Sequence, residues 1–184
     1  MICKINEQTP TPFNGPIELK QLLTAHLDSG VIEAYAGFLS NQPKLQSALT
    51  TYFSDPTRHS NITPMFIFNE ETNELVTLMA KNKQSPDDVG EPGSILAHVR
   101  DSGFTESFLC SDCYGQLSCS SCAVEVLTGT LENPTPRDEE YDMLDIDEAK
   151  PPTKHTRLGC QAVISREPLV ISIRAPEKKI RSKI

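Results

Sequence analysis

Five of the six cysteines lie in two short stretches of the chain. Four occur in Cys110-Ser-Asp-Cys113-Tyr-Gly-Gln-Leu-Ser-Cys119-Ser-Ser-Cys122, and the fifth is Cys160 in the later stretch Arg-Leu-Gly-Cys-Gln. Thiolates are soft ligands that favour zinc and iron–sulfur clusters. Thiolates this close in sequence can meet at one centre only if the backbone wraps around it, and glycine and serine between them permit this. We therefore predict a metal or iron–sulfur loop.

The cysteines can form a ligand set in two ways. Cys110, Cys113, Cys119 and Cys122 make two C-x2-C knuckles, which suit tetrahedral zinc. The second set replaces Cys110 with Cys160. A [2Fe–2S] cluster is longer than a single ion and needs two ligands at each iron, so a loop on one side and a late cysteine on the other match it. Structural zinc knuckles usually have more chain between them, which favours the second set, with zinc as the alternative.

The composition excludes several classes of protein. The 184 residues carry a net charge of −8, which argues against nucleic-acid binding because phosphates need basic partners. We expect no membrane span and no signal peptide, since no long apolar run occurs and the first residues lack a basic start with an apolar block. Disulfide frameworks belong to short secreted chains, so clustered cysteines here predict metal ligands in a cytoplasmic protein.

Apolar periodicity predicts three parts of the chain. Residues 1–62 form a mainly helical N-terminal extension of unknown role, residues 63–176 form the main domain, and residues 177–184 form a basic mobile tail. The extension is expected to begin with a short strand and to contain three helices: one from Pro16 to about Gly30, then two more around Ile32–Leu39 and Leu45–Asp55.

The main domain is predicted to be a small α+β sheet with one helix packed across it. Its expected elements, in order, are a hairpin of Met65–Phe68 and Leu75–Met79, a helix after Ser94, the cysteine loop, a strand at Ala123–Leu127, an acidic helix at Arg137–Glu148 and a final strand at Leu169–Arg174.

Three motifs together resemble the adrenodoxin-type [2Fe–2S] ferredoxins. They are the cysteine loop from Cys113 to Cys122, the acidic segment Asp138-Glu-Glu-Tyr-Asp-Met-Leu-Asp145, and Arg157-Leu-Gly-Cys160-Gln161. The resemblance covers about residues 65–176. It implies a β-grasp-like fold and one [2Fe–2S] cluster per chain, bound by Cys113, Cys119, Cys122 and Cys160.

The resemblance also implies an activity and partners. The family carries single electrons from a flavoprotein ferredoxin reductase to a cytochrome P450 or to iron–sulfur assembly proteins. Its acidic docking segment matches Asp138, Glu139, Glu140, Asp142 and Asp145, which are expected to face basic partners. We expect an electron-transfer protein rather than an enzyme, and a monomer.

The charge distribution supports this docking hypothesis independently. Between Met65 and Arg174 there are 19 acidic and 9 basic residues, and eight of the acids fall within residues 131–148. Charge complementarity gives fast association without a large adhesive patch, as a carrier with two successive partners needs. Two departures from the family are Ala123, where a histidine commonly follows the third ligand, and the extra Cys110, which is expected to pack as a small apolar residue.

Overall fold

The computed structural model describes residues 20–21, 23–55, 61–81, 89–103, 108–145 and 151–173. The predicted short strand near the start, the basic tail and the last residues of the predicted acidic helix lie outside these ranges. Nine elements are described: strands β1 (Ile62–Asn69), β2 (Glu74–Lys81), β3 (Ala123–Thr128), β4 (Thr156–Leu158) and β5 (Leu169–Ile173), with helices α1 (Ser29–Ser40), α2 (Pro43–Ser54), α3 (Ile95–Asp101) and α4 (Asp138–Leu144).

The five strands form one mixed sheet in the order β2-β1-β5-β3-β4. β1 and β2 are antiparallel neighbours from Ile62 opposite Lys81 to Asn69 opposite Glu74, which confirms the predicted hairpin. β5 runs parallel to β1 at the centre and antiparallel to β3, and β3 pairs with the short edge strand β4. The α+β prediction is confirmed, but β4 was missed because three residues carry too little alternation to be recognised.

Successive residues of the central strands point to opposite faces, and each face has its own core. Met65 and Ile67 of β1 pack beneath α3 in a core that also holds Cys122 and Cys160. Phe66, between them, faces the other way into a second core formed with α1 and α2. β1 is therefore buried on both faces over most of its length, as a strand between two layers must be.

The N-terminal helices cover the sheet face opposite the cysteines. Val31, Tyr35 and Leu39 form the buried stripe of α1, and the Tyr35 hydroxyl hydrogen-bonds the Thr77 hydroxyl of β2. Tyr52 of α2 donates a hydrogen bond to the Arg166 carbonyl at 3.2 Å. This helical layer shares a continuous apolar core with the sheet.

One predicted helix boundary is wrong. Gly30 was expected to end a helix, whereas it lies in the first turn of α1. The Asp28 carboxylate caps that helix by accepting a hydrogen bond from the backbone N–H of Val31 at 3.0 Å. An Asp cap is a strong start signal, and it outweighs the general association of glycine with helix ends.

None of the helices within the described ranges combines the length and apolar character required to cross a bilayer.

Candidate metal centre

The thiols of the second predicted ligand set lie in two neighbouring pairs. Cys119 is close enough to Cys113, and Cys160 close enough to Cys122, to shift the pKa of the neighbouring thiol. Weaker charge effects act between the pairs, of Cys113 on Cys160 and of Cys119 on Cys122. Within the described part of the chain, no three cysteine, histidine or acidic side chains converge as the ligands of a single ion would. Two pairs of thiols suit a group with two metal atoms, each of which takes two protein ligands.

β3 and β4 bring the distant cysteine to the loop. Cys122 lies immediately before β3, and Cys160 lies two residues after β4. The backbone N–H of Gly159 donates to the Cys122 carbonyl at 2.9 Å, which continues the pairing of these strands into the site. Both Cys122 and Cys160 are fully buried, whereas Cys113 and Cys119 are partly exposed.

Two glycines allow the backbone to close around the thiols. Gly90 has φ +88°, and a Cβ there would lie 2.4 Å from the Cys160 carbonyl oxygen. Gly115 has φ +80°, and a Cβ there would lie 2.5 Å from the Gly90 nitrogen. Contacts this short exclude a side chain at either position. The loop, the Gly90 segment and Cys160 therefore pack backbone against backbone.

Backbone N–H groups of the loop are directed at the sulfur atoms. That of Ser118 donates to the Cys113 sulfur and that of Leu117 to the Cys160 sulfur, whereas the N–H of Gln116 donates to the Cys113 carbonyl at 3.1 Å. Leu117 has φ +54°, and such a left-handed residue turns successive amides toward one side. These donors stabilise negative charge on sulfur.

Burial and neighbouring hydrogen-bond donors shift the pKa values of the cysteine thiols. Burial alone would raise the pKa of Cys113, but Ser118 and Cys119 outweigh it by stabilising the thiolate and lower the pKa to about 7. The hydrogen bond with Cys160, followed by burial, raises the pKa of Cys122. That bond, together with a donor from Gln161, lowers the pKa of Cys160 despite its burial.

Cys110 has different surroundings. It is exposed, and its thiol donates to the Asp112 carboxylate at 3.2 Å. Burial and the neighbouring Asp112 raise its pKa, although a hydrogen bond with Ser121 acts in the opposite direction. Its contacts are thus with polar side chains at the loop surface, and the expectation that it packs as a small apolar residue is wrong.

The acidic helix α4 has one buried carboxylate among its exposed ones. Asp138, Glu139, Asp142 and Asp145 are exposed as expected, but Glu140 is only 1% exposed. The expectation that Glu140 faces a partner is therefore wrong. Glu140 shares the inner face of the helix with Leu144, four residues later, and an ionised group at this buried position needs an internal cation.

That cation is Arg157, three residues before Cys160. Its Nε and Nη2 donate to the two oxygens of Glu140 at 2.8 and 2.9 Å. The Leu158 N–H donates to Glu140 Oε1 at 2.8 Å. One carboxylate thus fastens α4 to β4.

Asn133 is a positioning residue that sequence reasoning missed. Its side chain donates to the Gln161 carbonyl at 2.8 Å and accepts from the Val163 N–H at 2.9 Å. Its own carbonyl accepts from Arg157 Nη1 at 2.6 Å. Asn133 therefore holds the chain on both sides of Cys160. The only local signal was the turn-forming Asn-Pro pair, which does not disclose so distant a partner.

Comparisons with known protein sequences found similarity over part of this chain. Residues 82–165 match the family model described as a 2Fe-2S iron-sulfur cluster binding domain. Rhodocoxin of Rhodococcus erythropolis is 35% identical over 71 residues, which are 38% of this chain and 65% of rhodocoxin. The aligned region thus spans slightly less than two thirds of that relative.

Two solved structures are similar to part of this chain. An ISC-like [2Fe–2S] ferredoxin from Pseudomonas putida is 27% identical, with coverage of 61% of this chain and 92% of the ferredoxin and a TM-score of 0.45. Reduced putidaredoxin from Pseudomonas putida is 20% identical, with coverage of 60% and 95% and a TM-score of 0.44.

Proposed function

We propose that this chain is a one-electron carrier built on a [2Fe–2S] cluster binding domain; the match of residues 82–165 to that family model supports the proposal. The proposed ligands are Cys113, Cys119, Cys122 and Cys160. The observation that carries this assignment is the placement of these four thiols in two neighbouring pairs, in which each pair shifts the pKa of a member thiol. When bound, the cluster supplies a centre that accepts and releases one electron.

The other residues of the site hold and tune this centre. The N–H groups of Leu117 and Ser118 donate to ligand sulfurs and so stabilise added negative charge, which favours the reduced state. Burial of Cys122 and Cys160 excludes water from one end of the site. The partly exposed pair of Cys113 and Cys119 gives electrons a short route to the surface.

Its partners are proposed from charge. Asp138, Glu139, Asp142 and Asp145 form an exposed acidic surface next to the site, suited to a basic protein. We propose a flavoprotein ferredoxin reductase as the electron donor and a cytochrome P450 or iron–sulfur assembly proteins as acceptors. None of the five described cysteines is in a disulfide, which suits the reducing cytoplasm, and we propose a monomer there.

The first experiment measures the cofactor and its redox activity. The purified protein is expected to be red-brown, to contain two irons and two sulfides per chain, and to give an EPR signal after one-electron reduction. A colourless protein that contains one zinc ion would overturn the proposal.

The second experiment tests the ligand assignment with two matched variants. Cys160→Ser is expected to reduce iron content and visible absorption strongly. Cys110→Ser removes a thiol from the same loop and is expected to leave both nearly unchanged. The reverse pattern would show that Cys110 belongs to the ligand set and Cys160 does not.

A further inference from the structure

Tyr114 is an exposed aromatic side chain in the middle of the cysteine loop. It is 67% exposed, compared with 46% for Tyr141 and 44% for Phe38, the other large exposed hydrophobic residues in the described ranges. Its φ of +53° is unfavourable for a residue with a Cβ. The turn is secured by its N–H, which donates to the Ser111 carbonyl at 2.8 Å. The fold thus holds this ring in water at a conformational cost.

The ring lies where electrons have the shortest route out of the site. Tyr114 directly follows Cys113, which belongs to the partly exposed thiol pair. Cys122 and Cys160, at the other end of the site, are fully buried. A partner that approaches the accessible end must therefore come close to this ring.

Polar side chains flank the ring in the loop sequence. Asp112 and Gln116, on either side in the loop, are exposed. Gly115 packs on Gly90, and the neighbouring Glu91 forms an ion pair of 3.2 Å with Arg137, directly before α4. Through these contacts the loop backbone beside Tyr114 is linked to the start of α4.

We propose that Tyr114 is the central contact residue of the partner-binding surface, and that its partner is a protein with an apolar depression inside a basic rim. An exposed aromatic ring that becomes buried at the centre of a contact, within a rim of polar residues, is the usual arrangement of an interface hot spot. The ring contributes affinity through loss of its hydration, while the acids of α4 contribute mainly to the rate of association. This inference rests on the proposed electron-carrier function.

The test uses the cluster-loaded full chain, cytochrome c as a basic acceptor protein, and stopped-flow absorbance. Tyr114→Ala is expected to raise the half-saturating concentration of cytochrome c about tenfold, with little change in the limiting rate. The effect should persist at high salt, where steering by charge is screened. Tyr114→Phe keeps the ring and should differ from wild type by less than about twofold.

Phe38→Ala is the matched control. Phe38 is on α1, which packs against β2 at the edge of the sheet opposite β4, and its loss should not change the half-saturating concentration. Equal values for Tyr114→Ala and wild type, or an equal effect of Phe38→Ala, would overturn the inference. Reduction of each variant by dithionite is measured separately: if the wild-type cluster accepts no electron, the proposed function itself fails.

Discussion

Arg157 and Glu140 form a buried bidentate ion pair that joins the acidic helix to the segment carrying Cys160. The side chains are 4% and 2% exposed, with a shortest N–O distance of 2.8 Å. Leu158 and Asn133 satisfy further hydrogen-bonding positions of the pair. The same helix therefore contains outward carboxylates suited to a partner and one inward carboxylate that attaches it beside the site.

Removal of one partner of this pair should be strongly destabilising. Glu140→Ala leaves a buried guanidinium without its counter-ion, so the free energy of unfolding is expected to fall by about 3–5 kcal/mol. Urea unfolding followed by circular dichroism measures this loss. Glu139→Ala, at the exposed neighbouring position, should change stability by no more than about 0.5 kcal/mol. If the two variants have similar stability, the pair is not a structural anchor.

A methyl group at Gly90 should impair cluster binding. Because the added Cβ would meet the Cys160 carbonyl oxygen at 2.4 Å, Gly90→Ala must displace the segment that carries a proposed ligand. We expect iron per chain to fall by more than about half, from the backbone strain and the clash together. Gly37→Ala is the control, because open space surrounds Gly37 in α1 and alanine there should stabilise the helix by up to about 1 kcal/mol. Full iron content in Gly90→Ala would contradict this account.

Charge reversal on α4 should slow electron transfer to a basic partner in a salt-dependent way. The double change Asp142→Lys and Asp145→Lys is expected to lower the second-order rate constant with cytochrome c about tenfold at low salt. The difference from wild type should shrink as salt shortens the range of the interaction. Glu33→Lys makes the same kind of charge change on the exposed surface of α1. This helix contacts β2, whereas α4 contacts β4 at the opposite edge of the sheet, so the effect should be much smaller. An unchanged salt dependence in the α4 variant would exclude this helix as the contact.

Glu140→Gln extends that comparison within the helix. Since Glu140 faces inward, its neutralisation should lower stability without altering the salt dependence of the electron-transfer rate. A loss of salt dependence comparable to that of the α4 charge reversal would show that Glu140 contributes to steering.

Tyr35 should make the stability of the chain fall at alkaline pH. Burial raises the pKa of Tyr35 from 10.0 to about 12, although its hydrogen bond with Thr77 acts the other way. The unfolded chain loses this proton near pH 10 and the folded chain does so only near pH 12. The contribution of protonated Tyr35 to the free energy of unfolding is therefore complete below pH 10. It declines by about 2–3 kcal/mol as the pH rises to 12.

Urea unfolding at pH 8, 10 and 11.5 checks this prediction. Tyr35→Phe should show a smaller loss of stability than wild type above pH 10, while Tyr141→Phe, on the exposed helix, should follow wild type. Parallel pH profiles for wild type and Tyr35→Phe would mean that ionisation of Tyr35 does not destabilise the folded state.

Local sequence patterns were sufficient where the determining contacts are close in the chain. The alternation in residues 65–79 with a polar turn between the runs predicted the β1–β2 hairpin, whose strands are neighbours in sequence. Ser94 predicted the start of α3 and indeed caps it, since its hydroxyl accepts from the Ala97 N–H. The cysteine spacing and the resemblance together predicted the [2Fe–2S] domain class.

Only the tertiary structure decided the features that depend on distant contacts. The inward orientation of Glu140 depends on Arg157, 17 residues later, and a run of carboxylates contains no sign of which one meets a cation. The parallel pairing of β1 with β5 joins strands about 100 residues apart, which no local pattern encodes. Likewise, the amino-acid sequence determined which thiols were available and which loop could wrap around a cluster. The meeting of Cys160 with Cys122 required the folded sheet, because the β3–β4 pairing brings their backbones together.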